Sequence, residues 1–360
     1  MNLRDISTIR LISHQIAAPQ LKSAKAIVDW MGAMQAQDYA MAKWAIGCRL
    51  PGSTDQMIER AINKGEILRT HLLRPTLHLV SQDDIYWMQA LTAHQIKARL
   101  KSRHKELELS ETVFNKSNAI IENTLTGGKQ LTREELEAEI EKADIATINN
   151  RGYHLLVWAE LDGLVCSGAT KGGKHTYALL EERVKKTHPI TKEEALAKLA
   201  RKYFTSHGPA TLKDFVWWSG LSVSDANHGL EMAKSEFVSV TVDSHTYWLA
   251  DSFSPSQNDG KSAYLLPAFD EFIISYKDRS AALSLERFNK AVSNNGVFRP
   301  VIVFNGQVMG VWKRSMKKDK VILETELFEQ TDRRLDSLIE FAAKQFGYFI
   351  EKKTEVIHKI

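Results

Sequence analysis

Residues 67–80 read ILRTHLLRPTLHLV, and this stretch decides the fold class. Two short β-prone runs, 67–72 and 76–80, lie on either side of Leu73-Arg74-Pro75. Runs of this length around a turn are typical of a β-hairpin. We therefore predict that the chain reverses near Arg74 and that the two runs pair as antiparallel strands.

Helical patterns precede this hairpin. Apolar residues recur at helical spacing between about residues 3 and 34, with a break at Ala17-Ala18-Pro19. A further helix is predicted over 55–64, behind a Ser53-Thr54 cap site. Helices followed by a hairpin are the outline of a winged-helix unit.

The same order of elements recurs twice, and internal repetition governs the architecture. The second copy has predicted helices at 112–125, 132–141 and 153–161 and predicted strands at 164–167 and 175–179. Its middle helix begins with a capping box, Thr132 to Glu135. The third copy has predicted helices at 192–204, 211–219 and 224–233 and predicted strands at 237–242 and 246–250.

The last hundred residues are richer in predicted strands. After a predicted linker at 255–260, strands are expected at 264–266, 299–304, 308–313 and 320–324. Asn305-Gly306 is a strong hairpin turn between the middle two. These patterns predict a small β-sheet or barrel, and a helix at 333–346 is expected to close the chain.

The patterns together predict an α+β protein of three tandem winged-helix units with a C-terminal β-rich, barrel-like domain. The predicted divisions are 1–83, a basic connecting helix at 84–111, 112–189, 190–254 and 261–360. Five cations of the connecting helix cannot all face a core, so at least one basic surface is expected in solvent: Lys97, Arg99, Lys101, Arg103 and Lys105. This surface either binds an acidic partner or is an ordinary solvated helix face.

The composition is that of a globular protein, with 43% hydrophobic and 26% charged residues among 360. The N-terminus lacks the apolar segment of a signal peptide, and no stretch is a predicted membrane span, so a cytoplasmic location is expected. Cys48 and Cys166 are too few for a disulfide framework. The formal charge of +4 fits one basic face but does not by itself imply a polyanionic partner.

Several motifs that mark catalytic or nucleotide-binding sites do not occur in the sequence: GxxxxGK[ST], GxGxxG, GxSxG and HExxH. Gly127-Gly128-Lys129 and Gly172-Gly173-Lys174 are predicted turns. His71 and His78 could meet across the hairpin, but two histidines without a nearby carboxylate pair make a weak metal site, and a structural role is favoured. No metal or cofactor is predicted.

The unusual polar cluster is Met34-Gln35-Ala36-Gln37-Asp38. In an extended segment Gln35 and Gln37 point the same way while Ala36 faces inward, so one polar cavity could receive both amides. Alternatively, the segment is a polar helix terminus whose amides bond to nearby backbone. Spacing alone leaves both interpretations open, and the role of Asp38 is open as well.

Gln35-Ala36-Gln37-Asp38, followed by RTHLLRPTLH at 69–78, resembles the AlkZ/YcaQ-type winged-helix DNA glycosylase family. Later segments fit the same family, so the resemblance covers nearly the whole chain in order: 208–211, 217–221, 266–271, 298–300 and 310–314. It implies a concave DNA-binding surface formed by tandem winged helices and a β-barrel. It also implies that a glutamine motif, here Gln35 and Gln37, carries the glycosylase activity.

The implied activity is that of a monofunctional, cofactor-free DNA glycosylase. Its expected substrate is double-stranded DNA with alkylated, cationic purines, and bulky or crosslinked adducts are a further option. We expect a monomer that is nucleoid-associated when bound to DNA. The candidate DNA contacts are Arg69, His71, Arg74, Thr76, His78, Lys171, Lys174, Lys313, Arg314, Lys317 and Lys318. Trp217-Trp218 is predicted to belong to the core.

Two other functions stay open at this point. Winged helices most often serve binding, so the chain could be a non-catalytic DNA-binding regulator, or a protein-interaction scaffold whose hairpins never meet DNA. Salt-dependent duplex binding separates the scaffold from the other two functions, and base release separates the enzyme from the regulator.

Overall fold

The computed structural model describes residues 1–186, 188–251, 262–329 and 333–359. The first part of the chain forms α1 (Leu3–Ser13), α2 (Ala24–Met31), β1 (Ala33–Gln35), α3 (Tyr39–Gly47), α4 (Asp55–Asn63), β2 (Ile67–Leu72) and β3 (Thr76–Ser81). The predicted hairpin is confirmed, since β2 and β3 pair antiparallel, and β1 joins them in the order β1-β3-β2. The helix α3 was not predicted, because it is buried on nearly all sides and lacks an amphipathic period.

The middle of the chain repeats helices followed by a hairpin, as predicted. Its elements are α5 (Ile85–Glu106), α6 (Glu111–Leu125), β4 (Leu131–Thr132), α7 (Arg133–Glu141), α8 (Arg151–Leu161), β5 (Val165–Ser167), β6 (Thr176–Leu179), α9 (Leu180–Arg183), α10 (Lys192–His207), α11 (Leu212–Ser219), α12 (Val223–Ala233), β7 (Phe237–Val242) and β8 (His245–Ala250). The capping box of α7 is confirmed. The strands form sheets of order β4-β6-β5 and β7-β8. Division into winged-helix units at 1–83, 112–189 and 190–254 stays a prediction.

The helix α5 carries the five predicted cations, and only part of its charge faces solvent freely. Lys97 pairs with Asp162 and Arg103 with Glu106, while Arg99 donates to the Gly220 carbonyl at 2.9 Å. The remaining two, Lys101 and Lys105, are exposed. In the part of the chain that the structure describes, no helix is long and apolar enough to cross a membrane.

The C-terminal part contains a five-stranded sheet, and its described strands do not close into a barrel, so the sheet is the predicted alternative that the structure supports. Its elements are β9 (Ala263–Leu266), α13 (Glu271–Ile274), α14 (Leu285–Ala291), β10 (Val301–Phe304), β11 (Gln307–Met316), β12 (Lys320–Leu327), α15 (Arg333–Phe349) and β13 (Lys353–Lys359). The described strands have the order β13-β12-β11-β10-β9, with β13 and β9 at opposite edges. The Asn305-Gly306 turn is confirmed, with both residues at positive φ. The predicted linker at 255–260 lies outside the described residues.

The expectation that a helix closes the chain is wrong, because β13 follows α15. This last strand pairs parallel with β12. A parallel pair needs a long crossover, which α15 supplies. The sequence does not predict this strand because Lys353–Lys359 contains only two apolar residues, Val356 and Ile357, and they are adjacent and not alternating.

Both faces of the β2–β3 hairpin are buried. Ile67 and Leu79 belong to a core shared with α2, α3, α4 and α15. The adjacent residues Leu68 and Val80 belong to a second core, shared with α5, α10 and α11. Because successive strand residues face opposite sides, the hairpin separates two cores. It therefore differs from a wing that projects into solvent.

Candidate functional site

The Gln35-Ala36-Gln37 segment continues from β1 along the hairpin. Gln35 pairs with His78 of β3, and the Ala36 amide donates to the Leu77 carbonyl at 2.7 Å. Ala36 is fully buried, Gln35 is half-buried and Gln37 is exposed. The predicted extended arrangement with Ala36 inward is therefore confirmed. The helix-terminus alternative requires the glutamine side chains to bond to nearby backbone. Among the described residues, neither side-chain amide does so.

Three contacts fix this segment from different directions. The Arg69 Nε donates to the Ala36 carbonyl at 3.0 Å. The main-chain N–H of Gln35 donates to Glu271 Oε1 at 2.6 Å, and Arg74 Nη2 donates to Gln35 Oε1 at 3.2 Å. The position of the backbone and the direction of the Gln35 amide are thus both set before any substrate binds.

Asp38 has a structural role at the end of the motif. Its Oδ1 accepts from the Met41 N–H at 3.0 Å and caps α3. A capping carboxylate satisfies a helix donor that has no partner within the helix. The side chain is therefore engaged with α3 and does not share the amide arrangement of Gln35.

The turn that carries Arg74 packs against the end of α11. Leu73 adopts a positive φ of 60°, and a Cβ at Gly220 would lie 2.6 Å from the Leu73 carbonyl oxygen. Glycine is therefore required at position 220 for this close approach. The observed hydrogen-bond partner of the Arg74 guanidinium is the Gln35 side chain. A phosphate contact for Arg74 stays a prediction.

Glu271 places a buried carboxylate behind Gln35. Besides the Gln35 N–H it accepts from the Ser275 hydroxyl, and His207 Nε2 lies 3.9 Å from its Oε2. Burial alone would raise the pKa of Glu271, but the His207 ring and the two hydrogen bonds lower it to about 2. The carboxylate is therefore negatively charged at neutral pH.

Glu271 is held in turn by a buried ion pair at the start of α13. The two guanidinium nitrogens of Arg49 each lie 2.8 Å from an oxygen of Asp270, and both side chains are essentially unexposed. Asp270 Oδ1 also accepts from the Phe272 N–H and caps α13. Burial lowers the pKa of Arg49, but Asp270 outweighs burial and raises it above the ordinary value. This pair fixes the backbone that carries Glu271.

The two hairpin histidines are buried and have structural roles. His71 Nδ1 lies 2.5 Å from Glu160 Oε2 and its Nε2 lies 2.9 Å from the Tyr153 hydroxyl. His78 is fully buried and donates from Nδ1 to the Thr76 carbonyl at 2.9 Å. Because both hairpin faces are covered, neither ring reaches the surface. Both rings bond within the protein, as the favoured structural role predicts, and the DNA contacts proposed for these histidines stay predictions.

The remaining candidate DNA contacts lie on three elements: the β5–β6 hairpin, β11 with the turn after it, and β3. Lys171 and Lys174 are at the tip of the β5–β6 hairpin, where each pairs with a glutamate of α7. Lys313 pairs with Glu324, and the other cations follow on β11 and the turn after it: Arg314, Lys317 and Lys318. Thr76 is half-buried, and its hydroxyl has no hydrogen-bond partner among the described residues. The structure thus does not bring these residues into one cluster with Gln35.

Sequence reasoning noticed both glutamines but missed Glu271. The consecutive carboxylates Asp270-Glu271, a few residues after the strand predicted at 264–266, were the available signal. The described residues contain no group of three or more His, Cys, Asp or Glu side chains placed to hold a metal ion. Trp218 is fully buried, which confirms its predicted place in the core, whereas Trp217 is only half-buried.

Acid is expected to destabilise this fold from about pH 6.5 downward. Burial lowers the pKa of both His78 and His104 from 6.5 to about 4. The charge of Arg74 adds to the shift at His78, where Glu271 opposes it, and His154 adds to the shift at His104. The unfolded chain therefore binds more protons between these values, so stability is complete above pH 6.5 and is lost as the pH falls toward 4. Urea denaturation at about pH 7.5 and pH 5 measures this loss.

The control for this pH dependence is an exposed histidine. His104→Phe, which keeps a ring beside Phe114 and Trp158, should reduce the dependence to the part that His78 contributes. His245→Gln, at an exposed position, should keep the wild-type dependence. An equal loss of stability in wild type and His104→Phe would count against a buried neutral ring.

Comparison with known proteins gives one consistent result. The family model described as DNA glycosylase AlkZ-like matches residues 28–349. The chain is 22% identical over 314 residues to the interstrand DNA cross-link repair glycosylase of Streptomyces sahachiroi, covering 81% of this chain and 82% of that protein. The solved structure of Streptomyces sahachiroi DNA glycosylase AlkZ matches with a TM-score of 0.82 at 19% identity, over 99% of this chain and 100% of that one.

Proposed function

Because the chain belongs to the AlkZ-like DNA glycosylase family, we propose that it removes alkylated, positively charged purines from double-stranded DNA by hydrolysing the N-glycosidic bond. The observation that carries this proposal is the fixed Gln35-Ala36-Gln37 segment. Its backbone is held by Glu271 and Arg69, Gln35 is half-buried and Gln37 is exposed. Gln35 and Gln37 are the proposed catalytic residues.

The chemistry suits amides. A purine alkylated at N7 or N3 already carries positive charge and departs without a strong general acid. The remaining barrier lies in stabilising the cationic sugar and in placing the attacking water, which preorganised dipoles can do. Gln37, which is exposed, offers a carbonyl oxygen to that water, and Arg74 holds the Gln35 amide in one direction. A monofunctional reaction of this kind needs no lysine for a Schiff base.

The charged groups around Gln35 have opposite effects on a cationic sugar. Glu271 contributes negative charge directly behind the Gln35 main chain. Arg74 contributes positive charge, which attracts the phosphates on either side of the damaged nucleotide. The negative charge of Glu271 favours the cationic sugar, and the positive charge of Arg74 favours the phosphates beside it. A nucleotide that becomes cationic between two phosphates suits both groups.

Crosslinked adducts are a second proposed substrate class. The Streptomyces sahachiroi relative is named as an interstrand cross-link repair glycosylase. Gln37 is exposed, so a bulky base would not have to enter a closed pocket to reach it. Glycosylases generally extrude the target base, and full extrusion is not required if the motif reaches into the duplex.

Base release is the experiment that tests this function. The protein is incubated with duplexes that each carry one N7- or N3-alkylated purine, or one interstrand crosslink, and free base and abasic sites are measured. Free base from the alkylated duplexes is the expected result. Duplex binding without release would favour the non-catalytic regulator, and the absence of duplex binding would favour the protein scaffold.

A further inference from the structure

Three cations lie around the ring of Trp217. The Lys277 Nζ lies 4.8 Å from the ring centroid, and the Cζ atoms of Arg279 and Arg74 lie 5.3 and 5.8 Å from it. Among the described residues, Lys277, Arg279 and Arg74 form no ion pair with a carboxylate within 4 Å. Trp217, Arg74, Lys277 and Arg279 are called the Trp217 cluster below.

The cluster is held by aromatic rings and main-chain oxygens. Trp217 Nε1 donates to the Ile274 carbonyl at 2.9 Å, and Arg279 Nε donates to the Ile273 carbonyl at 3.1 Å. On its other side, Arg279 Cζ lies 5.1 Å from the centroid of the Phe298 ring. A π face attracts a cation without cancelling its charge. The guanidinium is therefore fixed in place and keeps its full positive charge.

Asp214 and Asp278, the carboxylates whose charges act on Arg279, are occupied by other donors. Asp214 Oδ1 accepts from the main-chain N–H groups of Lys277 and Asp278, at 2.8 and 3.2 Å. Asp278 Oδ1 accepts from the Ser280 N–H at 2.9 Å. Both carboxylates therefore stabilise the turn that carries Lys277 and Arg279, and neither forms an ion pair with them.

The cluster lies next to the candidate catalytic amide and is open to solvent. Arg74 belongs to the cluster and also donates to Gln35 Oε1 at 3.2 Å. Lys277 is exposed and Arg279 is half-buried. Like charges held this close repel one another, and a bound anion relieves that repulsion. Guanidinium and ammonium groups are the side chains that bind phosphate oxygens most strongly.

We propose that the Trp217 cluster binds a backbone phosphate of the damaged strand, beside the nucleotide whose sugar faces Gln35. This inference rests on the proposed function, and Lys277 and Arg279 are not among the DNA contacts predicted from the sequence. A phosphate fixed here sets the register of the strand. The sugar is thereby placed against the glutamines before reaction, as catalysis by orientation requires.

The first test compares two charge-matched double variants. Lys277→Gln with Arg279→Gln removes the cluster charges, and Lys142→Gln with Lys234→Gln removes two exposed charges that already pair with Glu139 and Glu231. Binding to an undamaged duplex is measured across salt concentrations. The slope of log affinity against log salt should fall by about one to two for the cluster variant and stay near wild type for the control. Equal slopes in all three proteins would overturn the proposal.

The second test locates the phosphate. Duplexes carry one tetrahydrofuran abasic analogue and one neutral methylphosphonate linkage, moved along the strand. A linkage next to the analogue should weaken wild-type binding and leave the cluster variant unaffected. If no linkage distinguishes the two proteins, the placement beside Gln35 is wrong.

Neither test depends on base release. If the cluster variant has a smaller salt slope than wild type but no protein releases a base, the proposed function is rejected. The phosphate contact then still holds for undamaged DNA. If Arg279→Gln fails to fold, Lys277→Gln alone is the substitute, because its side chain is exposed. The expected fall in slope is then about one.

Discussion

Replacing Gln35 or Gln37 with alanine is expected to slow excision of a cationic alkylpurine about a hundredfold to a thousandfold, with a much smaller change in DNA affinity. Each change removes a dipole that is already oriented when substrate binds. The two amides extend from one strand end, two residues apart, so they can hold the same water. The double variant should therefore lose less than the product of the single losses.

Single-turnover excision at saturating protein separates this chemical effect from affinity, and thermal melting checks folding. The matched control is Gln56→Ala, an exposed glutamine on α4, which should excise at the wild-type rate. A folded double variant with wild-type rates would remove both glutamines from the mechanism. The non-catalytic DNA-binding protein would then be the better account.

Replacing Asp270 with asparagine is expected to lower the free energy of unfolding by about 3–5 kcal/mol. Arg49 would remain fully buried without the carboxylate that contacts both of its terminal nitrogens. The cost arises because a charge that has lost its partner is still kept from water. Since Asp270 starts the helix that carries Glu271, excision should also fall in this variant.

Denaturant unfolding measures this loss, with an exposed ion pair as control. Arg103→Gln breaks the Arg103–Glu106 pair, whose side chains are 47% and 59% exposed, and should cost at most about 1 kcal/mol. Replacing Arg49 and Asp270 together with apolar residues should cost less than the two single changes added. A loss below about 1 kcal/mol in Asp270→Asn would show that water reaches Arg49.

The elements that were predicted correctly have signals within a few neighbouring residues. The capping box from Thr132 to Glu135 and the Asn305-Gly306 turn are examples, and both are present in the structure. The helix α3 gave no such signal, because it is apolar on nearly every side. The sequence left a sheet and a barrel open for the C-terminal part, since closure depends on how distant strands meet and local patterns do not record it.

The candidate site was only half predictable for the same reason. The two glutamines stand out locally, but the groups that hold them come from elsewhere in the chain: Arg74 is 39 positions from Gln35, and Glu271 is 236 positions from it. His71 became a candidate DNA contact through the family resemblance, while its residue pattern favoured a structural role. The sequence could not show that a different part of the chain covers each face of that hairpin.

The contact between Gln35 and Glu271 also constrains when the enzyme becomes competent during synthesis. The ribosome releases the Gln-Ala-Gln segment early, yet its carboxylate partner lies 236 positions later. The Asp270–Arg49 pair spans a similar interval of 221 positions. A nascent chain can therefore fold its first hairpin while the motif still lacks the support that fixes it. Messages cut short before codon 271 should yield proteins that carry the glutamines but do not cleave the bond.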